Sequence, residues 1–263
     1  MGEKAEKQGL MHYFKEYSWA VIITLILLVL WEGGVRVFDV PDFLLPPPST
    51  IIVTLFDVYH LILPHVWVTI SEAVVGLALA AILSTTMAFG IVYYKILERT
   101  LYPYAVITKV VPIISIAPLL TVWFGNGFLP KVLTAILVSF FPILVNTIAG
   151  LQSADRNMIR LMNSLYAPKF MIFTKIRYKY SLPYFFAGMR IASTLSVIGA
   201  IVGEFVGADR GIGFFLIMSM SELEVARVFM GVFFCTLIGL LLFFTVVVIE
   251  KYCIPWHVSL QGT

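Results

Sequence analysis

Six apolar stretches, at residues 17–37, 67–93, 101–123, 131–151, 183–207 and 228–253, constrain this chain more than any other feature. Each reaches or exceeds the roughly 20 mostly apolar residues that a helix needs to cross a bilayer's hydrocarbon core. Within that core every backbone N–H and C=O must be paired internally, which helices of this length achieve on their own. Composition agrees: 60% of residues are hydrophobic, 13% are charged and the mean hydropathy is +0.96. Soluble domains run at about 45–50% apolar and about 25% charged. That excludes a soluble or disordered chain, and two cysteines exclude a disulfide scaffold. Cys235 and Cys253, 18 residues apart on one apolar run, lie roughly 27 Å apart if helical and so stay unpaired. The expectation is an all-α polytopic membrane protein with a segment 1–16 before the first span, a transmembrane domain over 17–253 and a tail over 254–263. The first apolar run ends in Glu32-Gly33-Gly34 without a small-residue cleavage site and is read as a retained span.

Orientation follows from the Lys and Arg residues of the connections. With the N-terminus inside, the connections on that side carry twelve basic residues and the opposite side four, Arg36, Lys131, Arg210 and Arg227. Both termini are therefore expected in the cytoplasm. The third span is interrupted by Lys109, Pro112 and Pro118, which places it among other helices rather than against lipid. In the connection 38–66, Ser49 or Thr50 is expected to cap a short helix lying along the outer interface.

The connection 152–182 holds six basic residues and a single acid, Asp155. Asp155 is placed to cap a helix from Arg156 to about Leu165. Ala167-Pro168 breaks the chain, and Pro168 suits the first position of a second short helix, Lys169 to about Thr174, carrying Phe170, Ile172 and Phe173. A basic and aromatic helix-break-helix suits either a docking surface for a cytosolic partner or a loop that only fixes topology.

The motifs in order carry a resemblance. Leu45-Pro46-Pro47-Pro48-Ser49, Ile116 to Gly125, Phe140 to Thr147 with Gly150-Leu151, Leu182-Pro183-Tyr184 through Arg190-Ile191-Ala192, Gly203-Glu204 and Gly211-Ile212-Gly213 together cover most of the chain. In order and spacing they resemble the permease subunits of binding-protein-dependent ABC importers of the nitrate, sulfonate, taurine and bicarbonate type, with relatives for vitamin and pyrimidine precursors. The resemblance implies a type I importer fold with six spans and two short cytoplasmic coupling helices, in a bacterial inner membrane. It also implies two copies of a cytosolic ABC ATPase carrying ATP and Mg, a second permease copy and an extracytoplasmic solute-binding protein. The coupling segment would comprise Asp155, Arg156, Arg160, Met162, Tyr166, Ala167, Pro168, Lys169, Phe170 and Phe173. One departure stands out: the family's Glu-Ala-Ala-x-x-x-Gly pattern falls on Arg160, Leu161, Met162 and Tyr166, none of which matches. A tyrosine in the glycine's place is expected to fill space between the two helices.

Ionisable groups within spans mark a pathway or a protein-facing pair. Lys109 either faces the substrate path or pairs with Glu72. Arg190 is expected to snorkel towards the interface. Glu72 and Glu204 lie near outer span ends, where a solvated carboxylate costs little, and the resemblance implies a dimer-contact or outer-gate role for Glu204. Phe214, Phe215, Met218 and Met220 suit either a soft apolar gate or core packing. The four histidines lack ligand spacing and no phosphate-cradling glycine loop occurs, so neither a metal nor ATP, nor nucleic acid, is expected on this chain. The expected role is a non-enzymatic permease subunit importing a small solute, either an anion such as a sulfonate, nitrate or bicarbonate or a heterocyclic vitamin precursor. A secondary carrier or channel would show mirrored broken helices, and a transport-inactive scaffold or sensor would explain the altered coupling motif.

Overall fold

The computed structural model describes residues 2–94, 96, 97, 100 and 112–255, with the side chains of 2–18, 20 and 113 excepted. All regular structure among these residues is helical: α1 (Gly2–Val37), α2 (Pro48–Tyr93), α3 (Ile113–Phe124), α4 (Phe128–Gln152), α5 (Arg156–Ser164), α6 (Lys169–Ile172), a π turn (Phe173–Arg177), α7 (Tyr178–Glu204), α8 (Ile212–Ser221) and α9 (Val225–Cys253). Four helical stretches among them are long and apolar enough to cross a membrane: 48–93, 128–152, 169–204 and 225–253.

The chain divides into two compact units. In the first, residues 1–60 and 218–230, the Glu32 carboxylate on α1 accepts hydrogen bonds from Ser49 N (3.0 Å) and Ser49 Oγ (2.8 Å) and forms an ion pair with Arg36. A helix start leaves its first N–H groups without intrahelical partners, and here a carboxylate from another helix takes one of them. Ser49 is thus a donor to Glu32, and the helix that begins at Pro48 runs to Tyr93 with Pro64 inside it. The separate short helix expected after Pro48 is instead the first part of α2. Trp31 packs against Phe229 at a ring separation of 5.4 Å.

The second unit, residues 61–217 and 231–263, is organised by the extensive pairing of α4 with α7. They run antiparallel along a seam of small residues. A Cβ added at Gly150 would lie 2.8 Å from Ser181 Cα, at Gly199 2.7 Å from Ala135 Cα, and at Gly203 2.8 Å from Lys131 Cα. Glycine is what permits this approach, and between apolar helices close van der Waals packing replaces the hydrophobic drive that water would supply. Ser139 Oγ also donates to the Ala192 carbonyl across the seam at 3.2 Å. Against this pair α2 contributes Ala88 and Ile91, fully buried with Leu144, Ile148 and Leu151, and Leu77 and Ala80, buried with Ile143 and Ala192.

Two expectations about packing change. α6, the π turn and α7 form one helical run, so the second short helix is the leading end of the span rather than a separate element, and Pro168 stands as its N-cap. In α3, Ala117 and Leu120 are buried, while Val122, Trp123 and Phe124 project outward despite Pro118. Proline therefore did not place this helix wholly inside the bundle of a single chain.

Candidate functional site

The segment after α4 forms as its chemistry dictates. Asp155 Oδ1 accepts from Asn157 N at 2.8 Å and caps α5, which buries none of its residues. Met158, Leu161 and Leu165 stand exposed there beside Arg156 and Arg160, and Phe170 beyond the break is also exposed. Ala167 and Met162 are half-buried, and Pro168 and Lys169 are exposed. The helix ends with Tyr166 N on Asn163 O and Ala167 N on Met162 O, both 3.0 Å, the paired closure of a Schellman motif. That closure demands a left-handed residue, and Tyr166 supplies it at φ 54°. Tyr166 is 95% exposed, so it projects from the break rather than filling it. A cavity of about 780 Å³ lies behind the helix, lined among others by Tyr93, Arg156, Ile159, Lys169 and Arg177.

Phe173 departs from its expected docking role. Its ring sits 5.4 Å from Phe89 and 5.8 Å from Tyr93, and it packs on the core formed by Ala88, Ile91, Leu144, Ile148 and Leu151. Phe173 is half-buried and holds the leading end of the span to α2, so the exposed aromatic residues of the coupling segment are Tyr166 and Phe170.

A second constellation lies at the other end of the α4–α7 pair. Glu72 and Glu204 are 0% and 1% exposed, so they are not the solvated carboxylates expected near a span end. Lys131, counted from sequence among the loop charges, is itself buried, and its Nζ stands 3.8 Å from Glu72 Oε1. Both Glu72 oxygens are buried and accept no hydrogen bond among the described residues, and Thr69, three residues before Glu72 on α2, faces Glu204. Glu204 is well held: Thr69 Oγ1 donates to its Oε1 at 2.6 Å and Gly213 N to its Oε2 at 2.5 Å. Ile212 N donates to Thr69 Oγ1 at 2.9 Å and Gly211 N to His65 Nδ1 at 3.1 Å. Three successive N–H groups at the start of α8 are thus taken by side chains from α2 and from the end of α7. Gly211, at φ 113°, makes the turn, and a Cβ there would stand 2.7 Å from Glu204 Oε2.

The remaining predicted residues are scattered. Lys109 lies outside the described residues, and the partner that Glu72 faces is Lys131. Arg190 does not reach for the interface alone: its Nε is 3.5 Å from Glu250 Oε2, on a fully buried glutamate of α9. Phe214 packs near His65 at 5.8 Å, while Met218 is exposed on α8. Sequence reasoning missed His65, Thr69, Lys131 and Glu250. A signal existed for the first two, since His65, Thr69 and Glu72 recur at helical spacing on one face of an apolar helix.

A family model described as the inner membrane component of binding-protein-dependent transport systems matches residues 76–256. The chain belongs to this family. It is a transmembrane permease subunit with the type I ABC permease fold. Among curated relatives, the formylaminopyrimidine transport permease protein ThiX of Halalkalibacterium halodurans is 35% identical over 89% of this chain and 93% of its own length. The riboflavin transport system permease protein RibX of Chloroflexus aurantiacus is 29% identical over 93% and 94%, respectively. The taurine transport system permease protein TauC of Escherichia coli is 23% identical over 90% and 88%.

Proposed function

We propose that this permease imports a small nitrogen heterocycle of the vitamin-precursor class, powered by a cytosolic ABC ATPase that docks on residues 155–170. An extracytoplasmic binding protein delivers the solute. The observation that carries the docking reading is α5, a capped helix with no buried residue. Its Arg156, Met158, Arg160 and Leu161 stand open to a partner, and the Tyr180 hydroxyl donates to Met158 Sδ at 3.6 Å. The twelve-to-four distribution of basic residues supports a cytoplasmic location for this segment and for both termini. The outward Val122, Trp123 and Phe124 of α3 support pairing with a second permease copy.

The substrate class rests on two supports. The relatives named for heterocycles are 35% and 29% identical, against 25% and 23% for those named for aliphatic sulfonates and taurine. Among the described residues, the span cations Lys131 and Arg190 each face a carboxylate already, which leaves neither to attract an anion. Purification from the native membrane in mild detergent, followed by mass spectrometry, should recover the ATPase. Proteoliposomes holding both proteins, supplied with the binding protein, should then take up labelled formylaminopyrimidine in an ATP-dependent manner and not labelled taurine. Uptake of taurine alone would overturn the substrate class, and recovery of the chain without an ATPase would overturn the docking.

A further inference from the structure

We propose that Tyr166 is the anchor residue of the coupling segment, an aromatic side chain held out from the end of α5 to enter an apolar, acid-rimmed pocket on the ATPase. The proposal rests on the docking reading above and names the residue on which that contact turns.

The position is one that local structure assigns to glycine. At φ 54° a Cβ crowds the backbone, and glycine relieves that crowding. The cap itself is made only by main-chain groups, Tyr166 N to Asn163 O and Ala167 N to Met162 O. The ring is not needed for it. Nor does the ring support the fold, because Tyr166 is 95% exposed and its ring has no hydrogen-bonding or stacking partner among the described residues. A residue that is unfavourable for the backbone and idle within the chain points to a use outside it.

The surroundings define what that use is. Leu165 and Phe170 flank Tyr166 and are 68% and 69% exposed. Arg160 and Lys169, both exposed, stand near them in sequence, and the segment's one carboxylate, Asp155, is engaged by Asn157 N. The surface is therefore an apolar centre with a positive rim, complementary to an apolar pocket edged by carboxylates. Tyrosine is enriched among the few residues that dominate binding at such centres, because it buries a large rigid area at small entropic cost.

The test uses the full chain in nanodiscs and the ATPase recovered with it from the native membrane. Binding and thermal unfolding are measured for Tyr166→Phe, Tyr166→Ala, Tyr166→Gly and, as a separate mark of the surface, Leu161→Asp. Tyr166→Phe should bind within about twofold of the unaltered chain. Tyr166→Ala and Tyr166→Gly should both weaken binding about tenfold or more. Tyr166→Gly should unfold at the same temperature as the unaltered chain or higher, which separates a lost contact from a damaged helix. Unchanged binding by Tyr166→Gly, with loss in Leu161→Asp, would overturn the anchor and leave the docking reading standing. Loss in Tyr166→Ala but not in Tyr166→Gly would assign the effect to backbone strain and also overturn it. An unaltered chain that binds no ATPase would overturn both.

Discussion

Replacing Lys131 by methionine should be the most damaging single change to a charge in the second unit. Lys131 Nζ stands 3.8 Å from Glu72 Oε1, both side chains are buried, and the buried Glu204 is held by Thr69, one turn before Glu72 on α2. Breaking a buried pair by removing one partner typically costs about 3–5 kcal/mol, because the other charge is left uncompensated. Lys131→Met leaves two buried carboxylates with no cation between them. Glu72→Gln removes one carboxylate and leaves Lys131 with Glu204. Neither Glu72 oxygen accepts a hydrogen bond among the described residues, so little is lost on that side. Thermal unfolding in detergent, followed by fluorescence-detected size exclusion, should show Lys131→Met lowered by about 10 °C, at roughly 2–4 °C per kcal/mol for a chain of this size. Glu72→Gln should fall by only a few degrees, and Lys131→Met combined with Glu72→Gln should recover part of the loss. Equal losses in the two single variants, or no recovery in the double, would refute the reasoning.

Two further outcomes follow from the same packing. Phe173→Asp should lower the unfolding temperature, since a carboxylate in place of the half-buried ring loses its packing on Phe89, Tyr93 and the core beneath them, whereas Phe170→Asp should leave the unfolding temperature unchanged and weaken ATPase binding; parallel size-exclusion and binding measurements check both. Gly199→Ala should lower stability by about 1–3 kcal/mol, read as a shift in unfolding temperature, because the added methyl would lie 2.7 Å from Ala135 Cα and backbone cannot move aside as a flexible side chain can.

What was legible in the sequence was what depends on neighbours along the chain. The apolar runs, the Asp155 cap and the break at Ala167-Pro168 each follow from a local pattern, and α5 forms where that pattern places it. The glycine position of the family's coupling pattern was legible too, for the left-handed φ of Tyr166 falls on it. What depends on distant contacts was not. Phe173 and Phe170 are three residues apart and alike in type, yet one is pinned by Phe89 and Tyr93 from α2 and the other is exposed. Lys131 sits at the head of an apolar helix and reads as a loop charge until α2 brings Glu72 against it. Glu250 and Arg190 are 60 positions apart, and no local spacing links them.

The two constellations are joined by the element that packs most tightly. The run from Lys169 to Glu204 begins beside the proposed docking surface and ends in the carboxylate that holds the start of α8. Gly150 of α4 and Gly188, Gly199 and Gly203 of α7 mark places where the two helices approach closely. Such a seam resists sliding, because each small residue is matched to backbone on the other helix, and packed interiors shift between discrete arrangements rather than deform continuously. In the proposed mechanism, a displacement imposed by the ATPase at residues 155–170 would therefore move α4 and α7 together. At the far end that movement bears on Lys131 and Glu204, one from each helix, which face Glu72 and Thr69 of α2 respectively. The buried charges then lie where two moving helices meet a third, and the hydrogen bonds from Thr69 and Gly213 to Glu204 are the contacts that such a movement would have to break or keep.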